Sequence, residues 1–171
     1  MPQTKHLKVF SLISMFITAI CFGSCSSKPK DPKTSKPAPQ FSFSSLEGKT
    51  VSMKDLENKV IVVDFWATWC GPCREEIPHL NKLYSELKGK GFEIVGISMD
   101  TDGTDAVKDF AKELRIEYPI VIGDDKDAEA FGGIIGLPTT FIIDRKGNIV
   151  KKYVGLPSPG DMERVVKELV G

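Results

Sequence analysis

The chain has 171 residues, with 23 Lys+Arg against 23 Asp+Glu, which fits one ordinary domain with some material to spare. The balanced charge excludes the electrostatic footprint of a nucleic-acid binder and any acidic tail. Hydrophobic residues at 41% and charged residues at 27% are near soluble-domain averages, and four cysteines are too few for a disulfide scaffold.

Lys5 and Lys8 precede an apolar stretch from Val9 to Gly23 that is broken only by Ser11, Ser14 and Thr18. This is the basic and then apolar pattern of an export signal, and it is shorter than the ~20 residues a spanning helix needs. The stretch ends in Phe22-Gly23-Ser24-Cys25, which resembles a bacterial lipobox, where small residues lead up to a cysteine that takes a diacylglycerol before cleavage. Cys21 follows the bulky Ile20 and fits that pattern less well. The expectation is a signal peptide over residues 1–24 and a lipid on Cys25 seated in the bilayer. The product would be an exported lipoprotein facing the periplasm or the outer cell surface of a bacterium. Ordinary cleavage and an uncleaved N-terminal anchor are the alternatives, and both also place the domain outside the cytoplasm. Cleavage before Cys25 removes two lysines and no acid, leaving 21 basic against 23 acidic side chains. Residues 25–40 are expected to form a tether, because Ser26 to Pro39 carries four prolines, four lysines and no apolar run.

From residue 41 to residue 171 the pattern changes to alternating strands and helices. Val60 to Trp66 is a near-continuous apolar run rich in β-branched residues, as in a strand covered on both faces. Ile77, Leu80, Tyr84 and Leu87 recur at helical spacing and mark one buried stripe. Phe92 to Met99 reads as a second strand, and Val107, Phe110, Ala111 and Leu114 as a second helical stripe. Thr139 to Ile143 and Ile149 to Val154 flank Asp144-Arg145-Lys146-Gly147-Asn148, a hairpin turn, so these two strands are expected to be antiparallel. A last helix starts at Ser158-Pro159-Gly160-Asp161, with an N-cap at Ser158, Pro at the first helical position and an acid two residues later, and buries Met162, Val165, Val166, Leu169 and Val170. The sum is an α/β domain, a mixed central β-sheet with helices against it.

Cys70-Gly71-Pro72-Cys73 stands directly after the first strand and directly before the Ile77 helix. Unpaired N–H groups and the positive end of the helix dipole stabilise a thiolate at the first cysteine, and the thiolate is the attacking species in disulfide exchange. Cys70 is therefore the expected nucleophile and Cys73 the resolving thiol. A structural zinc needs four ligands, whereas outside the signal only Cys70, Cys73 and His79 are of the soft type. Neither a metal nor a cofactor beyond the Cys70–Cys73 disulfide is expected.

Val63-Asp64-Phe65-Trp66-Ala67-Thr68-Trp69-Cys70-Gly71-Pro72-Cys73 resembles the active site of the thioredoxin superfamily. Gly136-Leu137-Pro138-Thr139-Thr140-Phe141 resembles that superfamily's cis-proline segment. Within it the chain is most similar to the exported, membrane-anchored TlpA/ResA-type thiol-disulfide oxidoreductases. The likeness rests on Trp-Ala-Thr-Trp-Cys, the lead-in from Phe41 to Lys49, Leu-Pro-Thr-Thr, and an inserted segment from Gly103 to Phe131.

The resemblance implies a thioredoxin-like fold with helices on both faces of the sheet. It also implies that Pro138 is cis beside the cysteines and that the backbone of Leu137 pairs with an extended substrate strand. Trp69, Gly71, Pro72, Leu137 and Thr139 are the substrate-contacting residues it suggests. Pro78 matches a helix-kinking proline, and Trp66 and Trp69 would pack around the pair, Trp66 mainly as core. Asp64, in an otherwise apolar strand, matches a buried acid that exchanges protons with the resolving cysteine; the alternative is an acid hydrogen-bonded at the strand's edge. Glu76, one helical turn after Cys73, matches an acid of cytochrome-maturation members; the alternative is an exposed first-turn Glu favoured by the helix dipole. His79 reads as a surface residue.

The implied activity is reduction of protein disulfides outside the cytoplasm, with electrons from a membrane thiol transporter. Apocytochrome c before haem attachment is the implied substrate. A general disulfide reductant is the alternative, because Gly71-Pro72 departs from the Glu-Pro of some maturation proteins. A thiol peroxidase on the same scaffold needs Thr three residues before its reactive cysteine and Pro four before that, where this chain has Ala67 and Val63.

Overall fold

A computed structural model describes residues 35–171. The expected signal peptide, Cys25 and the first part of the tether lie outside the described residues. The elements in chain order are β1 (Lys36–Pro37), β2 (Ser42–Ser44), β3 (Thr50–Ser52), a 3-10 turn (Met53–Leu56), β4 (Val60–Trp66), α1 (Gly71–Leu87) and β5 (Phe92–Ser98). They continue with α2 (Thr104–Glu113), β6 (Ile120–Ile122), α3 (Asp125–Ala130), β7 (Thr139–Ile143), β8 (Asn148–Val154) and α4 (Pro159–Val170).

Six strands form one mixed sheet in the order β1-β8-β7-β4-β5-β6. β4, β5 and β6 run parallel, and β7 is antiparallel to β4 and to β8. All seven residues of β4 are buried, as its unbroken β-branched run requires of a strand with cover on both faces. Alternation sends Val60 and Val62 to one face, against Leu80 and Leu83 of α1 and Met162 and Val166 of α4. Ile61, Val63 and Phe65 go to the other, against Met53, Leu56, Phe131 and Phe141. On the first face α2 adds Val107 and Phe110 beside Trp66 and Ile77. Each large side chain so buried contributes roughly 1.5–3 kcal/mol, and the two packed faces fix β4 and hence the turn that follows it.

The 144–148 hairpin closes as the sequence predicts. Asp144 Oδ1 accepts from the N–H groups of Lys146 and Asn148 at 2.9 Å each, and Gly147 takes φ +79°, a conformation that costs glycine little.

Three expectations change. The domain begins before residue 41: Lys36 and Pro37 pair with Ile149 and Asn148, and buried Ala38 donates to Gly147 O. Pro37 is tolerated because β1 is an edge strand, where one face of the backbone needs no partner. The segment from Gly103 to Phe131 holds a strand and a second helix, β6 and α3, besides α2. In the last helix Ser158 makes no side-chain cap; Asp161 instead accepts from Tyr153 and Arg164, and only Met162 and Val166 of its stripe are fully buried.

Candidate active site

Cys70 and Cys73 form a disulfide with S–S 2.07 Å at the start of α1. Cys70 is the N-cap residue, and its Sγ accepts from Cys73 N–H at 3.2 Å. The Cys73 N–H and the positive end of the helix dipole thus meet the first sulfur of the pair, which favours its thiolate in the reduced protein.

The sulfurs differ in access. Cys70 is 6% exposed and lines an open groove of about 600 Å³, while Cys73 is 1% exposed and lies inward. Trp69, Pro72, Met99, Ile134, Ile135 and Leu137 give this groove an apolar wall. Trp69 does not pack around the pair: it stands 70% exposed at the rim, while Trp66 is fully buried and stacks on Phe110. The Leu137–Pro138 peptide is cis. Thr139 is wholly buried and donates to Gly136 O at 2.6 Å. Its backbone sits inside the sheet between β4 and β8, so it shapes the loop that carries Leu137 and stands behind the groove rather than in its lining. His79 is exposed, and Pro78 lies within α1.

The turn before Cys70 has an anchor that sequence reasoning missed. Buried Asp100, just past β5, accepts from Thr68 N–H at 3.0 Å, from the Thr68 hydroxyl and from Ser98 Oγ at 2.8 Å. Charge-assisted bonds of this kind are worth about 1.5–3 kcal/mol each and hold the loop that presents Trp69 and Cys70.

Behind the cysteines lies a carboxyl pair. Asp64 is fully buried and Glu76 is 1% exposed. The first-turn exposure allowed for Glu76 is therefore corrected: it shares the inward stripe of α1 with Cys73, Ile77 and Leu80, as offsets of three, four and seven dictate. Asp64 sits mid-sheet opposite Thr140, away from any strand edge. The Thr140 hydroxyl is 3.2 Å from Asp64 Oδ1 and 3.0 Å from Glu76 Oε1. Thr140 was also missed; in a strand, threonine reads as a β-former.

Burial pushes the Asp64 carboxyl well above the usual range, the negative charge of Glu76 adds to this, and the Thr140 hydroxyl opposes it. Burial likewise raises Glu76 to about 7, again opposed by Thr140. Tyr118, buried nearby, is held neutral by burial and by the charges of Asp64 and Glu76. A carboxyl that titrates near neutrality suits proton transfer with a thiol.

Residues 34–152 match the model of the AhpC/TSA family. The chain is 38% identical over 144 residues to the thiol-disulfide oxidoreductase ResA of Bacillus cereus, covering 84% of this chain and 82% of that one. It is 30% identical over 165 residues to ResA of Halalkalibacterium halodurans, covering 96% and 91%. A solved thiol:disulfide interchange protein of the thioredoxin family from Chlorobium tepidum has a TM-score of 0.74 and 38% identity, covering 80% of this chain and 97% of that one. With a thioredoxin-like sheet, a dithiol at a helix start and relatives of this kind, the chain belongs to the AhpC/TSA family and, within it, to the ResA-type thiol-disulfide oxidoreductases.

Proposed function

We propose that the protein reduces protein disulfides outside the cytoplasm, tethered to the membrane by a lipid on Cys25, and that apocytochrome c is its substrate. The observation that carries the reading is the unequal access of the two sulfurs, Cys70 open to the groove and Cys73 inward beside Glu76, which makes Cys70 the sulfur that meets the substrate and Cys73 the one that resolves the mixed disulfide.

In the reduced protein the Cys70 thiolate attacks one sulfur of a substrate disulfide lying in the groove. That bond breaks, the departing substrate sulfur takes a proton, and a mixed disulfide joins Cys70 to the substrate. Cys73 then loses its proton to the buried carboxyls, and its thiolate attacks Cys70 Sγ. The Cys70–Cys73 bond forms as the bond between Cys70 and the substrate breaks, the second substrate sulfur leaves as a thiolate and takes a proton from water, and the substrate has gained two electrons and two protons. A membrane thiol transporter restores the dithiol. Trp69 and Leu137 supply apolar contact for the substrate, and Gly71 and Pro72, both exposed, keep the approach to Cys70 low. Glu76 at its place after Cys73 supports the apocytochrome reading. Ala67 and Val63 stand where a thiol peroxidase needs threonine and proline, which weighs against peroxide turnover.

Trapping tests this. Cys73→Ser leaves the attack intact and removes the resolving thiol, so the variant isolated from bacterial membranes is expected to carry apocytochrome c on Cys70, identified by mass spectrometry. Capture of many unrelated envelope proteins would favour a general reductant, and capture of none would sink the reductase reading.

A further inference from the structure

Asp64 and Glu76 come from different elements, β4 and α1, and both lie against one third side chain. That side chain is Thr140 on β7, within hydrogen-bond distance of one oxygen of each. Asp64 Oδ2 and Glu76 Oε2 are buried and have no hydrogen-bond partner among the described residues. A hydroxyl has one hydrogen to donate and two lone pairs to accept. If both carboxyls are ionised, that hydrogen serves one and the other buried charge has no donor, which is costly. If the pair holds one proton, the protonated carboxyl donates to Thr140 and Thr140 donates to the other, so both contacts are hydrogen bonds. Moving the proton from one acid to the other only reverses the two bonds.

We propose that Thr140 is a positioning residue that joins Asp64 and Glu76 into a single proton-sharing unit, and that this unit, rather than either acid alone, exchanges the proton of Cys73. The inference deepens the proposed reductase mechanism and rests on it for the role of Cys73. The unit also has a way out. Glu76 lines a small cleft of about 40 Å³ between α1 and α4, with Leu156, Pro157, Pro159 and Met162 around it, and a volume of this order admits water.

Other titratable groups face the unit. His79, Lys82 and Glu86 of α1 and Glu163 of α4 line the cleft. Tyr118 approaches from the segment before β6, and Tyr153 of β8 shares the sheet row of Thr140. Both tyrosines are raised by burial, Tyr153 also through its bond to Asp161, so neither changes charge near neutrality. The cleft groups other than Glu76 stay outside the Thr140 bonds.

Titration of the carboxyl carbons by NMR, in the full-length disulfide form labelled at Asp and Glu, reads the unit without reference to activity. In the wild type the Asp64 and Glu76 signals are expected to respond together in two shared steps. Thr140→Val removes the donor that favours the ionised form and should move both steps to higher pH; Thr140→Ser keeps the hydroxyl and should restore them. The matching kinetic result is a roughly tenfold slower resolution of the Cys70 mixed disulfide near neutral pH in Thr140→Val, recovering as pH rises, and near-normal rates in Thr140→Ser. Independent titration of the two acids, or a serine variant that behaves as the valine one, overturns the proposal. If Thr140→Val does not fold, Glu76→Gln decides instead: the Asp64 step must fall in pH once its charged neighbour is gone, and an unmoved step refutes the coupling. Shared titration in a protein without reductase activity would sink the proposed function alone, and unshared titration in an active enzyme would sink this inference alone.

Discussion

Replacing Glu76 with glutamine should stabilise the protein, and by an amount that grows with pH. The side chain is almost wholly buried and its carboxyl is raised by burial from 4.5 to about 7. A raised acid binds its proton more tightly in the folded state. Between the two values the unfolded chain has released the proton and the native protein has not, so stability falls as pH rises through that window. Below about pH 4.5 both states are protonated and the term vanishes. The gap of about 2.5 pH units corresponds to ~3 kcal/mol. Glutamine has the same shape and no charge, so Glu76→Gln should match the wild type near pH 4 and exceed it by ~3 kcal/mol or more at pH 7 and above, the fall of the Asp64 step once its charged neighbour is gone adding to the gain. Denaturant unfolding of the disulfide form, in which the cysteines do not titrate, measures this across the range. A difference that is flat with pH, or of the opposite sign, would refute the assignment of Glu76 as a buried acid that ionises near neutrality.

Asp64→Asn should slow resolution of the mixed disulfide by about tenfold near neutral pH, with the loss shrinking as hydroxide takes over deprotonation of Cys73; stopped-flow kinetics with no loss would reduce Asp64 to a structural acid. In the reduced protein Cys70 should react with alkylating reagents at a pH well below that required by Cys73, and faster labelling of Cys73 would reverse their roles. Trp69→Ala should raise KM for a protein disulfide by roughly tenfold while leaving small-reagent alkylation of Cys70 unchanged, since loss of an exposed aromatic anchor acts on docking; an unchanged KM would remove Trp69 from the groove's function. Gly96→Ala should destabilise by about 1–3 kcal/mol, because its Cβ would fall 2.9 Å from Trp66 Nε1 and 3.1 Å from Tyr118 Cε2, and an unchanged unfolding midpoint would show that these rings can yield.

Much of the frame was legible because it depends on local patterns. The run from Val60 to Trp66 could only be a covered strand, the dithiol's place before a helix follows from its neighbours, and the Asp144–Asn148 turn carries its own chemistry. The parts that were not legible depend on tertiary contact. β2, β3 and β6 are three residues each, too short to display a period. β1 looks like tether because Lys36 and Pro37 have no apolar signal, and only the free edge of β8 makes a strand of them. The burial of Glu76 was available in the spacing, since Cys73, Glu76, Ile77 and Leu80 share one stripe, but flanking Arg74 and Glu75 mask it. Thr140 stands in the Leu-Pro-Thr-Thr run without any sign of its role, and nothing marks Asp100 as an anchor, because the acids that Thr140 meets lie 64 and 76 residues away and the turn that Asp100 holds lies 32 residues away.

Under the proposed mechanism, sulfur chemistry and proton chemistry are separated across α1. The groove at Cys70 is bounded by α3 and the segment 134–137, whereas the cleft at Glu76 is bounded by α4 and the loop before it. The sheet lies between those two sets of elements, since α4 packs on one of its faces and Phe131, at the end of α3, on the other. A substrate strand docked in the groove as proposed would leave the cleft uncovered, so a proton taken from Cys73 would have an exit that docking does not block. Such a division explains why burying two carboxyls beside the dithiol is tolerated despite its cost at neutral pH. An acid open to the groove would be desolvated afresh by each substrate and its affinity for the proton would change with the partner, while one enclosed on the opposite side keeps the same affinity whichever disulfide is bound. Substitutions on the groove side should then alter KM without moving the pH profile of resolution, and substitutions in the acid unit should move the pH profile without altering KM.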